Sequence, residues 1–341
     1  MSPATSPAAI LEEAIAAGAF PGGVVHLSRD DKVVAHDARG TLGIEPPFLV
    51  PVSTQTLYDL ASLTKLYTLA TALSVLREAQ IPLETPLLRF FPNFTPEITL
   101  ERLMSHRSGI GFPIQRLEAV AATDWLTCIA AAPFHSAPGT IVLYSCTNYF
   151  LLARAIEQIS GASLEALMSE RIFKPLQLEQ TVFEPTTSQQ VAPTERHDDG
   201  IWQGIVHDEA ARSWRHQTGC CAGNAGLFAT AADVAHFAKI WVQKGAGILH
   251  SDDVTRVFAT RYPENSTWRG LGFQFDIASY MSEAAPNGSA GHLGFTGPSL
   301  ILHPPTAQVA VILNNRVHPT RTGPDRLPYH KRIAAFLFSG C

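Results

Sequence analysis

Leu60-Ala61-Ser62-Leu63-Thr64-Lys65 marks the point at which the chain changes its hydrophobic period. From Ser62 onward Leu66, Leu69, Leu73 and Leu76 recur at three- and four-residue spacing, the pattern of a helix with one buried stripe. The segment is rich in strong helix formers and is predicted to run to about Gln80, where Ile81-Pro82 ends it. A lysine three residues after a serine lies on the same face of the first turn. A serine hydroxyl is a weak nucleophile until a base takes its proton. Burial and the positive end of the helix dipole are both expected to favour neutral Lys65, which would let it act as that base. Taken alone, a Ser-x-x-Lys match arises by chance about once in a chain of this length, so the reading rests on its company.

Working outward, residues 8–18 read as a short helix that stops at Gly18. Residues 24–27 and 33–36 flank the polar tip Arg29-Asp30-Asp31-Lys32 as a β-hairpin. Beyond the central helix, residues 149–159 form a helix closed by Ser160-Gly161, and residues 162–172 form another that ends before Lys174-Pro175. Thr230-Ala231-Ala232-Asp233 opens a third as a capping box, hydroxyl and carboxylate each taking a free N–H. After Leu271 the period of two returns: 272–277, 289–295, 299–303 and 309–314 read as successive antiparallel strands, and 333–338 as a closing helix. Strands at both ends with helices between imply an α+β fold: an antiparallel sheet flanked by N- and C-terminal helices, plus an inserted, mostly helical domain. The expected partition is 1–61 with 255–341 for the sheet domain and 62–254 for the helical one, the active site lying between them.

The bulk composition excludes several classes. With 46% hydrophobic and 16% charged residues, the 341-residue chain is globular rather than disordered. A net charge of −5 leaves no basic footprint for nucleic acid, and no Lys/Arg cluster suits a membrane surface. Residues 1–7 are polar, and Glu12 and Glu13 interrupt the following stretch, so no secretory leader is expected. No apolar run is long enough to span a membrane. Cys128, Cys146, Cys220, Cys221 and Cys341 are odd in number and lack Cys-x-x-Cys spacing, which fits reduced thiols in the cytoplasm.

Two further motifs give Ser62 and Lys65 their company. Tyr144-Ser145-Cys146 follows Pro138-Gly139-Thr140 and precedes a helix, placing a phenol at a loop-helix junction. Gly291-His292-Leu293-Gly294-Phe295-Thr296-Gly297 falls in a late strand whose glycines let a ligand approach the backbone. Ser-x-x-Lys, Tyr-Ser-x and His-x-Gly in this order resemble the class C β-lactamase superfamily, with its penicillin-binding-protein relatives, and are closest in kind to family VIII carboxylesterases. Leu103-Met104-Ser105-His106-Arg107-Ser108-Gly109, Ile172-Phe173-Lys174-Pro175-Leu176, Ala225-Gly226-Leu227-Phe228 and Leu313-Asn314-Asn315-Arg316-Val317 extend the similarity over nearly the whole chain. The resemblance implies a β-lactamase/transpeptidase-like fold and a two-step acyl transfer without cofactor or metal. Ser62 attacks the carbonyl, while Lys65 and Tyr144 share the proton transfers. His292 stands where β-lactamases keep a lysine, and the backbone N–H groups of Ser62 and Phe295 form the oxyanion hole. Positive charge from Lys65 or protonated His292 is expected to draw Tyr144 down from its ordinary value near 10.

The departures fall at the substrate positions Cys146, Leu293 and Gly294 and at His292. Cys146 replaces an asparagine that bonds the substrate amide, and a thiol is a poor substitute. Leu293 replaces a hydroxyl that meets the β-lactam carboxylate, and His292 replaces a permanent charge. Each charged hydrogen bond lost is worth roughly 1.5–3 kcal/mol, which favours neutral substrates. The expected function is therefore a carboxylesterase acting on short-chain esters. Its alternatives are a β-lactamase, a D-amino-acid peptidase or an acyltransferase using the same site, and a non-catalytic ligand-binding sensor. The expected partner is a small-molecule ester or β-lactam-like substrate, with neither nucleic acid nor membrane. Activity is expected to fall as pH drops through about 6.5 if neutral His292 matters.

Rival motifs are weaker. His207-Asp208 with His216, and His197-Asp198-Asp199, hold ligand-type residues without a recognised metal spacing, so loop hydrogen bonding is expected of them. Gly-x-Ser-x-Gly is absent, and the glycine-rich run 219–226 lacks a phosphate-loop pattern and is expected to border the substrate cleft.

Overall fold

Val309, Val311 and Leu313 alternate with Ala310 and Ile312, so a strand carrying both sets must be covered on both faces. The computed structural model describes residues 6–339; Met1 to Thr5, Gly340 and Cys341 lie outside the described residues, and with them most of the polar start and the fifth cysteine. It places this strand inside an eight-stranded antiparallel sheet. In chain order the strands are β1 (Gly22–Arg29), β2 (Lys32–Gly40), β3 (Tyr262–Glu264), β4 (Thr267–Arg269), β5 (Gln274–Phe275), β6 (Ala290–Leu293), β7 (Ser299–His303) and β8 (Gln308–Asn314). Their spatial order is β2-β1-β8-β7-β6-β5-β4-β3. The N-terminal hairpin thus joins the C-terminal strands through β1 and β8, with Val25 opposite Ile312 and His26 opposite Val311.

The alternation sorts the two faces. Val25, Leu27, Ile301, Ala310 and Ile312 share a buried cluster with Ile10, Leu11 and Ala14 of α1 (Pro7–Ala16) and with the terminal helix Leu327–Phe338. Val24, Leu300, Leu302, Val309, Val311 and Leu313 face the other way, into a larger cluster that continues through Leu66, Leu69 and Leu73 of α2 (Thr64–Glu78) and Phe150 to Ile156 of α3 (Cys146–Ser160). Helix α4 (Ala231–Val242) packs directly on β1, β7 and β8. We propose the two-part division of the chain as its organisation, with α4 as the wall both parts share.

The α+β architecture matches the expectation, with differences at element ends. Helix α2 begins at Thr64 because Ala61–Leu63 forms a tighter 3-10 turn ahead of it. The helix expected over 162–172 is a short helix, Leu164–Met168, followed by a wider turn, Ser169–Phe173. Thr230 Oγ1 accepts the N–H of Asp233 at 3.3 Å, whereas the Asp233 carboxylate accepts from Gln180 and Thr181 instead of closing the capping box. The hairpin β3–β4 has no counterpart in the sequence reading. Its strands are three residues long, Pro263 reads as a breaker, and the turn depends on Asn265 at φ 54°. Proline is tolerated there because β3 is the edge strand. No helix among the described residues is long and apolar enough to cross a membrane.

The turn after β6 is tight. Gly294 N–H donates to Pro298 O at 2.8 Å and Gly297 N–H to Gly294 O at 3.2 Å. Gly297 has φ 144°, and a Cβ on it would run into Asn314 O and Oδ1. Gly297→Ala is therefore expected to destabilise the fold by about 2 kcal/mol or more, read as a lower urea midpoint.

Candidate active site

The backbone ahead of α2 is bent by a buried carboxylate. Asp59, 3% exposed, accepts the N–H of Ala61 at 2.7 Å on Oδ1 and the N–H of His207 at 2.8 Å on Oδ2. Burial pushes its pKa up in spite of these two hydrogen bonds. Ala61 adopts φ 44°, a conformation that costs a non-glycine residue about 1–2 kcal/mol and needs such a partner. Leu60 N–H donates to Leu227 O at 2.8 Å, tying the turn to the short strand Phe228–Ala229. Thr296 Oγ1 donates to Asp59 O at 2.7 Å, which brings in the loop after β6.

Ser62 Oγ emerges from this turn. Lys65 Nζ donates to it at 2.8 Å and the Tyr144 hydroxyl at 2.9 Å. Lys65 is fully buried and sends its other hydrogens to Asn224 O at 2.9 Å and Cys146 Sγ at 3.4 Å. One turn later Thr68 Oγ1 donates to Gly223 O at 2.7 Å, so two side chains of α2 grip consecutive carbonyls of the glycine-rich run. Three acceptors match the three donors of an ammonium. Burial favours the neutral amine, but the charges that Cys146 and Tyr144 take on when ionised outweigh it, and Lys65 lies above the ordinary lysine range. This direction runs against the neutral Lys65 expected from burial alone. Burial raises the Cys146 thiol as well, so at neutral pH it faces the ammonium as a weak sulfur acceptor.

Tyr144 lies two residues before α3, half exposed, with its ring 4.5 Å from that of His106, 5.2 Å from Lys65 Nζ and 5.0 Å from Arg269 Cζ. The buried His106 accepts the Ser145 N–H at 3.2 Å on Nδ1, which anchors the segment carrying Tyr144. His292, on β6, is buried, and its Nδ1 donates to Leu293 O at 2.9 Å, leaving Nε2 without a partner. Burial, then the charges of Arg269 and Lys65, hold His292 well below the usual histidine value. It stays neutral through the ordinary histidine range, so loss of its neutral form belongs at more acidic pH than the expected 6.5. The positive charges beside Tyr144 are Lys65 and Arg269.

Two cavities meet at Ser62, Tyr144 and Phe295. The larger, about 520 Å³, is also walled by Cys146, His207, Asp208, Glu209, Ala225 and Arg321. The other, about 350 Å³, is walled by His292, Leu293, Gly294, Arg269, Arg316 and Arg326. The expected residues Ser62, Lys65, Tyr144, Cys146, His292, Leu293, Gly294 and Phe295 are therefore brought together, and the run 219–226 borders the cleft through Ala225. Phe295 N–H makes no hydrogen bond among the described residues.

The guanidinium groups were not anticipated. Arg269 is bound by Glu264 through Nε at 2.8 Å, yet one terminal nitrogen is buried without a partner. Arg316 and Arg326 have no carboxylate partner among the described residues. Arg326 instead donates to Gly297 O at 3.0 Å and Gly294 O at 3.1 Å, and burial with the charge of Arg316 brings its pKa down to about 10. Three arginines from other elements thus line the wall that holds His292 and Leu293. Arg316 stood in a stretch already singled out; Arg269 lies in the unpredicted hairpin.

A family model described as Beta-lactamase matches residues 8–335. The chain belongs to the beta-lactamase family. Among curated relatives in sequence, an Escherichia coli K12 protein named "Putative D-alanyl-D-alanine carboxypeptidase" is 30% identical over 85% of this chain and 75% of its own length. Among solved structures, "EstCE1, a hydrolase with promiscuous acyltransferase activity" aligns with TM-score 0.79 at 21% identity, covering 96% of both chains. A penicillin-binding protein homologue from Pyrococcus abyssi aligns with TM-score 0.77 at 20% identity over 98% of this chain and 77% of its own. These structural likenesses fit the α+β, β-lactamase/transpeptidase-like fold, and the family makes the chain a serine hydrolase of that fold.

Three histidines, His106, His292 and His330, are fully enclosed and held well below the usual value, chiefly by burial. The unfolded chain takes up their protons below about pH 6.5 while the folded one does not. Each then removes up to about 1.4 kcal/mol of stability per pH unit. The raised carboxyls of Asp59, Glu157 and Asp233 act in the opposite direction, but His26, His36, His303 and His318, also lowered chiefly by burial, add to the histidine side. Thermal unfolding at pH 5.0 is accordingly expected well below that at pH 7.5; equal midpoints contradict it.

Proposed function

We propose that this hydrolase is a carboxylesterase that cleaves short-chain esters through an acyl-enzyme on Ser62. The observation that carries the reading is the convergence of Lys65 Nζ and the Tyr144 hydroxyl on one serine oxygen, at 2.8 and 2.9 Å. With Lys65 an ammonium directed at three acceptors, Tyr144 serves as the base in its phenolate form: its oxygen takes the serine proton as Oγ attacks, and the phenol so formed gives that proton to the departing alcohol. Lys65 stabilises the negative charge that passes between the two oxygens. The N–H groups of Ser62 and Phe295 receive the carbonyl oxygen as it becomes an oxyanion. Cys146, Leu293 and Gly294 then line the substrate's path without an amide or hydroxyl donor from their side chains. The thiols of Cys128, Cys146, Cys220 and Cys221 suit a reducing compartment such as the cytoplasm.

A second reading has its own support. Arg269, Arg316 and Arg326 beside Ser62 suit a substrate that ends in a carboxylate. That is the chemistry of a D-amino-acid peptidase and agrees with the name of the Escherichia coli relative. Comparing kcat/KM for p-nitrophenyl butyrate, a chromogenic cephalosporin and a peptide ending in D-Ala-D-Ala separates the two. The ester is expected to lead by at least about 100-fold, and Ser62→Ala to abolish turnover of every substrate. A peptide rate equal to the ester rate transfers the assignment to the peptidase. Tyr144→Phe is expected to lower kcat for the ester by about 100- to 10,000-fold with a much smaller change in KM.

A further inference from the structure

An acyl-enzyme must still be opened by water, and the larger cavity contains a base that Ser62, Lys65 and Tyr144 do not use. His207 is 3% exposed, and its Nε2 lies 3.1 Å from Glu195 Oε2. Glu195 is itself fixed by Arg321, whose backbone N–H reaches Oε1 at 2.9 Å and whose Nε reaches Oε2 at 2.8 Å. Burial tends to raise the Glu195 pKa, but these bonds hold it at about 2, so it is a carboxylate that can only accept from His207. The proton of a neutral imidazole therefore sits on Nε2, and Nδ1 carries the free lone pair.

Nothing else engages Nδ1: no hydrogen bond to it exists among the described residues, and His207 forms part of the wall shared with Ser62, Tyr144 and Cys146. Its ring stacks on Phe295, with centroids 5.6 Å apart and planes 26° from parallel. Its backbone N–H occupies one oxygen of Asp59 while the other oxygen holds Ala61, so a single carboxylate spans from His207 to the nucleophile turn. The other charged groups around it are Arg212, whose Nη1 donates to His207 O at 3.0 Å, and Arg321, Asp208 and Glu209, which line the same cavity. A carboxylate, an imidazole and a cavity that reaches a nucleophilic serine form the arrangement that general-base catalysis requires.

We infer that His207, oriented by Glu195, is the general base for the water that opens the Ser62 acyl-enzyme. The inference rests on the acyl-enzyme reading above. The water oxygen bonds to the acyl carbon as one of its protons passes to Nδ1. The tetrahedral intermediate then collapses by breaking the bond between the acyl carbon and Ser62 Oγ. The proton on Nδ1 returns to the departing Oγ by way of the Tyr144 oxygen, and the acyl group leaves as the carboxylic acid. Glu195 and Asp59 are positioning residues: one sets the ring's tautomer, the other the distance between ring and serine.

The test separates the two half-reactions. Wild type, His207→Gln and Glu195→Gln are mixed with p-nitrophenyl butyrate in a stopped-flow instrument, and quenched samples are weighed as intact protein. Wild type is expected to acylate on Ser62 and turn over. His207→Gln is expected to release a burst of about one equivalent of p-nitrophenol, then slow by about 100-fold or more while the butyryl adduct accumulates. Glu195→Gln keeps the imidazole and is expected to show the same behaviour to a smaller degree, and it gives the answer alone if His207→Gln does not fold. The inference is overturned if the foldable variants turn over without accumulating adduct, or if burst and steady-state rates fall by the same factor, as a loss of shape alone would cause. A wild type with no adduct on Ser62 overturns the acyl-enzyme reading itself, and this inference with it.

Discussion

Much of the site depends on the carboxylate of Asp59. A carboxylate withdrawn from water must be matched by donors, and here both donors are backbone N–H groups, from Ala61 two residues away and from His207 148 residues away. One holds Ala61 in a left-handed conformation and thereby aims Ser62; the other fixes the wall of the larger cavity. The carbonyl of the same residue takes the hydroxyl of Thr296, drawing in the loop that bears Phe295. Ser62, Phe295 and the wall of the larger cavity are thus registered to one another through a single side chain and its own peptide.

Around this frame the chain gathers positive charge, although its net charge is −5. Lys65, Arg269, Arg316 and Arg326 all lie near Ser62, and among the described residues Arg269 alone of these arginines has a carboxylate partner. A reaction that moves negative charge from serine to carbonyl oxygen and on to a leaving group is served by such a field at each stage. Burial first, and then the same field, keep His292 and His106 neutral: an imidazolium there would lack water and stand next to fixed cations.

How much of this could be read from residues alone follows from separation along the chain. Ser62 and Lys65 are one helical turn apart, Tyr144 sits at a recognisable helix entry, and β7 and β8 alternate plainly; local geometry makes each of these legible. Lys65 was read as neutral because burial was visible, whereas its acceptors, Asn224 O and Cys146 Sγ, arrive from 159 and 81 residues away. Arg269 was missed with its hairpin, since three-residue strands around a proline carry almost no periodic signal. His207 was noticed as a ligand-type residue but not as Glu195's partner, because the eleven residues between them follow no periodic pattern and only the folded loops bring them to 3.1 Å.

The two cavities share only Ser62, Tyr144 and Phe295 in their walls. A serine placed at such a junction has two doors rather than one. The fragment that departs and the molecule that arrives next need not queue for the same passage, so the second guest can be seated before the first has gone. On the proposed acyl-enzyme route, what enters through the second door decides whether the acyl group is discarded or handed on.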